Sequence, residues 1–108
     1  GRFWNGTPNR LHYSTSKAGV IGLTRSLARE VGIDNINVNA ITPGFTLSDT
    51  QISSSGEYAK NNAPPSDRCI QRHQYPEDLA GTVMFLLSKG SDFISGQTIN
   101  VDGGQFMH

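Results

Sequence analysis

The sequence predicts an α/β fold, and three observations predict it. Two segments carry helical periodicity, one over residues 10–31 and one from Pro76 onward. Two short segments read as strands, Ile36 to Ile41 as a buried one and Gln97 to Val101 as the last. Helix and strand signals alternate along the chain, separated by a long polar stretch over 46–62.

Residues 1–9 read as loop, with turn formers at Asn5-Gly6 and Thr7-Pro8. Thr7 is placed to cap a helix with Pro8 at its first position. That helix carries an apolar stripe at Val20, Leu23, Leu27 and Val31, with Arg25, Arg29 and Glu30 facing elsewhere. Ala18, Gly19 and Gly22 cost helix propensity but admit another backbone closely. Gly32 ends the helix, and Asn35 tolerates the left-handed conformation better than most residues. Ile36, Val38 and Ala40 then alternate with Asn37 and Asn39 as a strand that Thr42-Pro43-Gly44 stops. Asn39 is expected to tie backbone groups together rather than to meet a ligand.

The segment from Thr46 to Asn62 is serine-rich and weakly patterned, with at most a short helix around Glu57 to Asn61. Such a stretch inside a domain is more often a lid or binding loop than filler. Pro64-Pro65 closes it. The second helix begins at Pro76, with Glu77 and Asp78 at its positive end. Leu79, Val83, Leu86 and Leu87 form its expected buried side, and Gly90 ends it. Asp102-Gly103-Gly104 turns out of the final strand.

A chain of 108 residues is one domain at most. Nine basic and nine acidic residues leave no net charge, which argues against electrostatic capture of nucleic acid or an anionic membrane. No apolar run approaches the roughly 20 residues of a membrane span. Cys69 has no partner for an intrachain disulfide, which fits a reducing, cytoplasmic setting. His12, His73 and His108 lack metal-ligand spacing, so no metal site is expected.

The chemistry concentrates at Tyr13-Ser14-Thr15-Ser16-Lys17. Residues four apart share a helix face, so phenol and ammonium can converge on one point. A cation beside a phenol stabilises the phenolate, which makes tyrosine a usable proton donor and acceptor near neutral pH. Ala18-Gly19-Val20 follows, then Val38-Asn39-Ala40-Ile41-Thr42-Pro43-Gly44 and Pro76-Glu77-Asp78-Leu79-Ala80. Gly96-Gln97 and Val101-Asp102-Gly103-Gly104 complete the series. In this order and spacing the motifs resemble the short-chain dehydrogenase/reductase family, in its ketoacyl-reductase-like branch, from about Leu11 to Gly104.

The resemblance implies the carboxy-terminal part of a Rossmann-like, doubly wound parallel sheet. Residues 1–108 would carry the catalytic Tyr/Lys and substrate-loop part of a single domain. The dinucleotide-binding part is expected to be absent, because no glycine-rich turn precedes Tyr13 and Gly1 and Gly6 merely flank Trp4. The family's serine would fall at or just before the first residue. It further implies an NAD- or NADP-dependent oxidoreductase that moves hydride between the cofactor and a carbonyl or secondary alcohol. Tyr13 would be the acid/base, and Lys17 its electrostatic partner and a ligand of the nicotinamide ribose. Pro43, Gly44, Thr46 and Ser48 would contact the nicotinamide end, Thr46 and Ser48 standing where many relatives have Ile or Val and Thr. Arg72 matches an arginine common in relatives, while Gln71 and Gln74 stand where many have glycine.

A small-molecule substrate and a homo-oligomer, dimer or tetramer, follow from the same resemblance. Its long helix would pack on its copy, with Phe106, Met107 and His108 open to a subunit interface. Phe45, Tyr58 and Cys69 are weaker candidates for a substrate pocket, since loop aromatics usually serve packing. The alternative is a non-catalytic scaffold that keeps only the subunit-interface helix.

Overall fold

The structure is a computed structural model and describes residues 6, 8–53 and 56–107. The expected loop around Trp4, the Thr7 cap and the interface role of His108 lie outside the described residues.

Helix α1 spans Leu11–Val31, with Arg10 at its N-cap position and no side-chain cap. It packs on strand β1, Ala40–Pro43. Its inward face matches the expected apolar stripe only in part, at Leu27 and Val31, both half-buried. Ile21 (8% exposed) and Thr24 are buried and Ala28 and Val31 half-buried, while Val20 and Leu23 stand exposed. Thr24 can go inside because its hydroxyl donates to the Val20 carbonyl at 2.8 Å, which satisfies the buried oxygen within the helix. The inward positions Ile21, Thr24, Ala28 and Val31 extend back by steps of four to Lys17 and Tyr13. A stripe containing Thr24, Lys17 and Tyr13 is invisible to a search for apolar periodicity, which settles on the neighbouring face instead.

After α1 the chain makes a 3-10 turn over Gly32–Asp34 and reverses at Asn35, whose φ of 58° is the left-handed value expected of it. The predicted strand start at Ile36 is corrected, since pairing begins only at Ala40. Asn37 and Asn39 explain the delay, because side chains do the work of the ladder there. Asn37 donates to the carbonyls of Ser91 (3.2 Å) and Asp92 (3.0 Å). Asn39 donates to the Ile94 carbonyl at 2.8 Å and accepts the Gln97 N–H at 3.1 Å, the backbone-tying role its position predicts.

Strand β2, Thr98–Val101, runs parallel to β1, with Ala40 opposite Thr98 and Pro43 opposite Val101. The strand therefore continues through Pro43, and the Gly44 N–H closes the ladder on the Val101 carbonyl at 3.1 Å. Proline, lacking a donor, is tolerated at this end position.

Between the strands lie α2 (Asp49–Ser53), α3 (Glu57–Asn61) and α4 (Glu77–Leu86). The short α3 is the helix expected there. Sequence reasoning missed α2, although Ser48-Asp49-Thr50-Gln51 signals it. Gln51 Oε1 accepts the Ser48 N–H at 2.8 Å and the Ser48 hydroxyl accepts the Gln51 N–H at 3.4 Å, a reciprocal capping box.

Helix α4 packs on β2, with Leu79 and Leu86 half-buried. Val83 and Leu87 are exposed, contrary to expectation, and the helix ends at Leu86 before a 3-10 turn over Lys89–Ser91 that takes in Gly90. Asp78 anchors its start by accepting the Tyr75 N–H at 2.9 Å and a two-pronged ion pair from Arg72 at 2.7 and 2.6 Å.

The hydrogen bonds from Arg72 and then from the Tyr75 backbone pull the Asp78 carboxyl down to about 2. The ordinary carboxylate value is about 3.9, so this contribution is whole above pH about 4 and lost as pH falls through about 2. Asp78→Asn in the complete protein is expected to lower the melting temperature at neutral pH. It should also flatten the acid-side loss across that window, which melting curves at stepped pH would measure.

Among the described residues only Ile21 and Leu47 (2% exposed) are buried hydrophobics. The radius of gyration is 16.0 Å, against about 13 Å for a compact chain of this length. The fold is thus an open α/β scaffold whose apolar faces are largely uncovered.

Candidate active site

Tyr13 and Lys17 sit one turn apart on α1, with the Lys17 ammonium 5.6 Å from the centre of the Tyr13 ring. A second cation, Arg10, lies 6.0 Å from the same ring, and sequence reasoning did not single it out. Tyr13 is 41% exposed and Lys17 is exposed as well. Ser16, between them, spends its hydroxyl on the Tyr13 carbonyl at 2.9 Å and leaves the phenol to itself.

The two heads lie on the sheet-facing stripe yet remain exposed, and helix geometry explains why. Ala28 sits beside Gly96, just ahead of β2. Because α1 turns straight back into β1, it runs antiparallel to the strands. Climbing back from Ala28 at 1.5 Å per residue, Lys17 lies about 16 Å and Tyr13 about 22 Å up. From Gly96 to the end of β2 at Val101 the chain climbs about 17 Å. On this reckoning Lys17 is level with the carboxyl end of β2 and Tyr13 about one helical turn beyond it. That is where open α/β sheets bind ligands.

The Pro43–Thr46 turn leaves β1 at the same end. Glycine at position 44 is required by close approach. A Cβ there would lie 2.7 Å from Gln74 Oε1 and 3.0 Å from the Asp102 Cα, and the latter is backbone that cannot swing aside. Gly44→Ala in the complete protein is expected to cost about 1–3 kcal/mol by overpacking. It should also weaken whatever binds at the turn; chemical denaturation and ligand titration would measure the two effects.

Thr46 folds its hydroxyl back onto the Gly44 carbonyl at 3.1 Å, stiffening the turn. Ser48 is drawn into the α2 cap, and its hydroxyl donates to Gln51 Oε1 at 3.0 Å. The candidates fall in two groups: Tyr13 with Lys17 near the start of α1, and Pro43 with Gly44 and Thr46 at the end of β1. Ser48 stands at the margin of the second.

The weaker candidates serve packing. Phe45, Tyr58 and His73 form a chain of rings with centroids 6.4 and 6.3 Å apart, and His73 Nε2 lies 2.8 Å from the Asn62 carbonyl. The chain ties the 46–62 stretch to the body of the fold. Cys69 is exposed, its thiol 3.3 Å from the Gly104 carbonyl. Arg72 is committed to Asp78. Asp102 is buried and accepts the N–H groups of Gly104, Gln105 and Phe106 at 3.0, 3.2 and 3.0 Å, fixing the tail that follows β2. No group of three or more potential metal ligands occurs among the described residues, and none of their helices is long and apolar enough to cross a membrane.

Known proteins resemble the chain in sequence and in fold. The family model described as enoyl-(acyl carrier protein) reductase matches residues 4–105. The 3-oxoacyl-[acyl-carrier-protein] reductase of Rickettsia bellii is 44% identical over 105 residues, covering 95% of this chain and 42% of that protein. Its counterpart from Staphylococcus aureus is 42% identical over 102 residues, covering 94% and 41%. The chain thus spans about two fifths of the length of the curated relatives it matches.

Among solved structures, a short-chain glucose/ribitol dehydrogenase from Brucella melitensis superposes with a TM-score of 0.79 at 25% identity, covering 99% of this chain and 42% of that one. A 4-hydroxyisoleucine dehydrogenase complexed with NADH gives 0.75 at 31% identity, covering 93% and 40%. With its motifs, its parallel strand pair and a family match over nearly its whole length, the chain belongs to the short-chain dehydrogenase/reductase family, in its ketoacyl-reductase-like branch.

Proposed function

We propose that the protein carrying this chain is an NAD- or NADP-dependent oxidoreductase acting on a carbonyl or secondary alcohol, and that Tyr13 and Lys17 work at its reacting centre. The observation that carries the reading is that Tyr13 and Lys17 stand exposed one turn apart at the start of α1, the ammonium 5.6 Å from the centre of the ring. The donors present fit the nicotinamide end of a dinucleotide. A free ammonium suits ribose hydroxyls, and the Pro43–Thr46 backbone suits a carboxamide. A structural neighbour bound to NADH supports the same assignment.

The cofactor, when bound, supplies or accepts the hydride. Tyr13 handles the proton on the substrate oxygen, donating it in reduction and removing it in oxidation. Lys17 holds the ribose and keeps a positive charge 5.6 Å from the centre of the Tyr13 ring. Gly44 and Thr46 fix the height of the turn beside the nicotinamide, and Ser48 offers a further hydroxyl at its margin. The relatives' names point to a 3-oxoacyl thioester as substrate, reduced at its keto group. The exposed Val20 and Leu23 on α1 suit packing against a second copy, in keeping with a dimer or tetramer.

Lys17→Ala separates this reading from that of a scaffold. In the complete protein it is expected to raise the KM for NAD(P)(H) at least about tenfold and to slow turnover as well, because one cation serves both cofactor and phenol. Steady-state kinetics with each substrate varied would measure it. Unchanged cofactor KM and kcat would contradict the reading.

A further inference from the structure

The Pro43–Thr46 turn rests on a segment, 66–75, whose side chains hold it from beneath. Gln74 is 5% exposed, and its Nε2 donates to the Val101 carbonyl at 2.6 Å. That carbonyl also takes the Gly44 N–H. The Gln74 backbone carbonyl accepts the Leu47 N–H at 2.9 Å, and Gln74 pairs with Thr46 as an isolated parallel bridge. One residue therefore grips the turn on both sides of Phe45. Arg68, 3% exposed, grips its middle: Nη2 donates to the Phe45 carbonyl at 3.3 Å and Nη1 to the Arg72 carbonyl at 3.0 Å.

These are costly residues to bury. No carboxylate lies within ion-pair distance of Arg68 among the described residues, and neither Arg68 Nε nor Gln74 Oε1 has a hydrogen-bond partner there. Each such group carries a desolvation penalty that an apolar side chain avoids. Stability alone would favour apolar residues at both places. What both supply instead is direction: their hydrogen bonds to the Phe45 and Val101 carbonyls hold the turn beside the close approach of Gly44 to Asp102. A glycine at position 74 would lack the side-chain half of this grip.

We propose that Arg68 and Gln74 are positioning residues that set the backbone of the Gly44–Thr46 turn, and through it the affinity for the nicotinamide end of the cofactor. They touch neither cofactor nor substrate. The inference rests on the reading of that turn under the proposed function. It predicts a selective defect, in which the cofactor KM moves while the carbonyl KM and kcat stay nearly constant.

The test uses the complete protein with Gln74→Met, which keeps length but removes the donor, and Arg68→Lys, which keeps charge but loses the fork. Initial rates are measured with each substrate varied in turn, alongside melting temperatures and Tyr13→Phe as a control. Gln74→Met is expected to raise the KM for NAD(P)H about fivefold or more, and Arg68→Lys about two- to fivefold, the loss of one buried hydrogen bond in each case. The carbonyl KM and kcat should stay within about twofold. A lowered melting temperature with both KM values unchanged would overturn the proposal, as would a parallel fall in every kinetic constant. Should Gln74→Met fail to fold, Arg68→Lys decides, and an unaltered cofactor KM there counts against it. Full turnover in Tyr13→Phe would overturn the functional reading, and this inference with it.

Discussion

Replacing Tyr13 by Phe in the complete protein is expected to reduce turnover at least about a hundredfold while leaving NAD(P)H affinity within a few-fold of wild type. The ring stays, so its stacking and the nearby Lys17 and Arg10 charges keep their places. Only the hydroxyl goes, and with it the proton donor for the carbonyl oxygen. Positioned acid–base catalysis typically contributes about 10² to 10⁴, so the loss should fall in that range. The two serines nearest it are differently placed. Ser14 is half-buried on the stripe's flank, and Ser16 is bound to the Tyr13 carbonyl. Steady-state rates and a cofactor titration would measure the split. Retention of more than about a tenth of the rate would remove Tyr13 from the chemistry.

The second large effect concerns the chain by itself. Residues 1–108 expressed alone are expected neither to unfold cooperatively nor to bind NAD(P)H at micromolar concentration. Fully burying an aliphatic side chain contributes about 1.5–3 kcal/mol. Ile21 and Leu47 supply that here, whereas Leu23, Ile33, Met84, Leu87 and Phe93 lie open to solvent. Ordering each residue's backbone costs about 1–2 kcal/mol, far beyond what two burials can offset. A pair of four-residue strands with free edges also invites aggregation. Circular dichroism melting with a nucleotide titration would reveal the state. A sharp transition together with tight binding would contradict the account of an open scaffold.

Much of this was legible in the sequence where one residue dictates its own conformation. Asn35 takes the left-handed reversal, Asn39 ties strand starts together, and Glu57 to Asn61 forms its helix. Tyr13 and Lys17 were visible for the same reason, since a spacing of four on a helix leaves no choice of face. Less legible were features that depend on what lies across the fold. The buried side of α1 is marked by Thr24, whose burial is decided by a hydrogen bond to Val20 and not by its polarity. The outward Val20 and Leu23 look like core because they would bury well, whatever they face in this structure. Strand β1 starts late because Asn37 and Asn39 bond to a segment some 55 residues away. The roles of Arg68 and Gln74 were hidden for the same reason, as both act on carbonyls distant in sequence. The capping box at Ser48 and Gln51 is different, being local and readable from the four residues alone.

The most direct test of the account is a crystal structure of the complete protein with NAD(P)H bound. The nicotinamide end should lie at the carboxyl ends of β1 and β2, between the start of α1 and the Pro43–Thr46 turn. Lys17 is expected within about 2.6–3.2 Å of a ribose hydroxyl, with the Tyr13 hydroxyl facing the space where a carbonyl oxygen would sit. A nicotinamide seated elsewhere, or Tyr13 and Lys17 sealed inside a subunit interface away from it, would contradict the account.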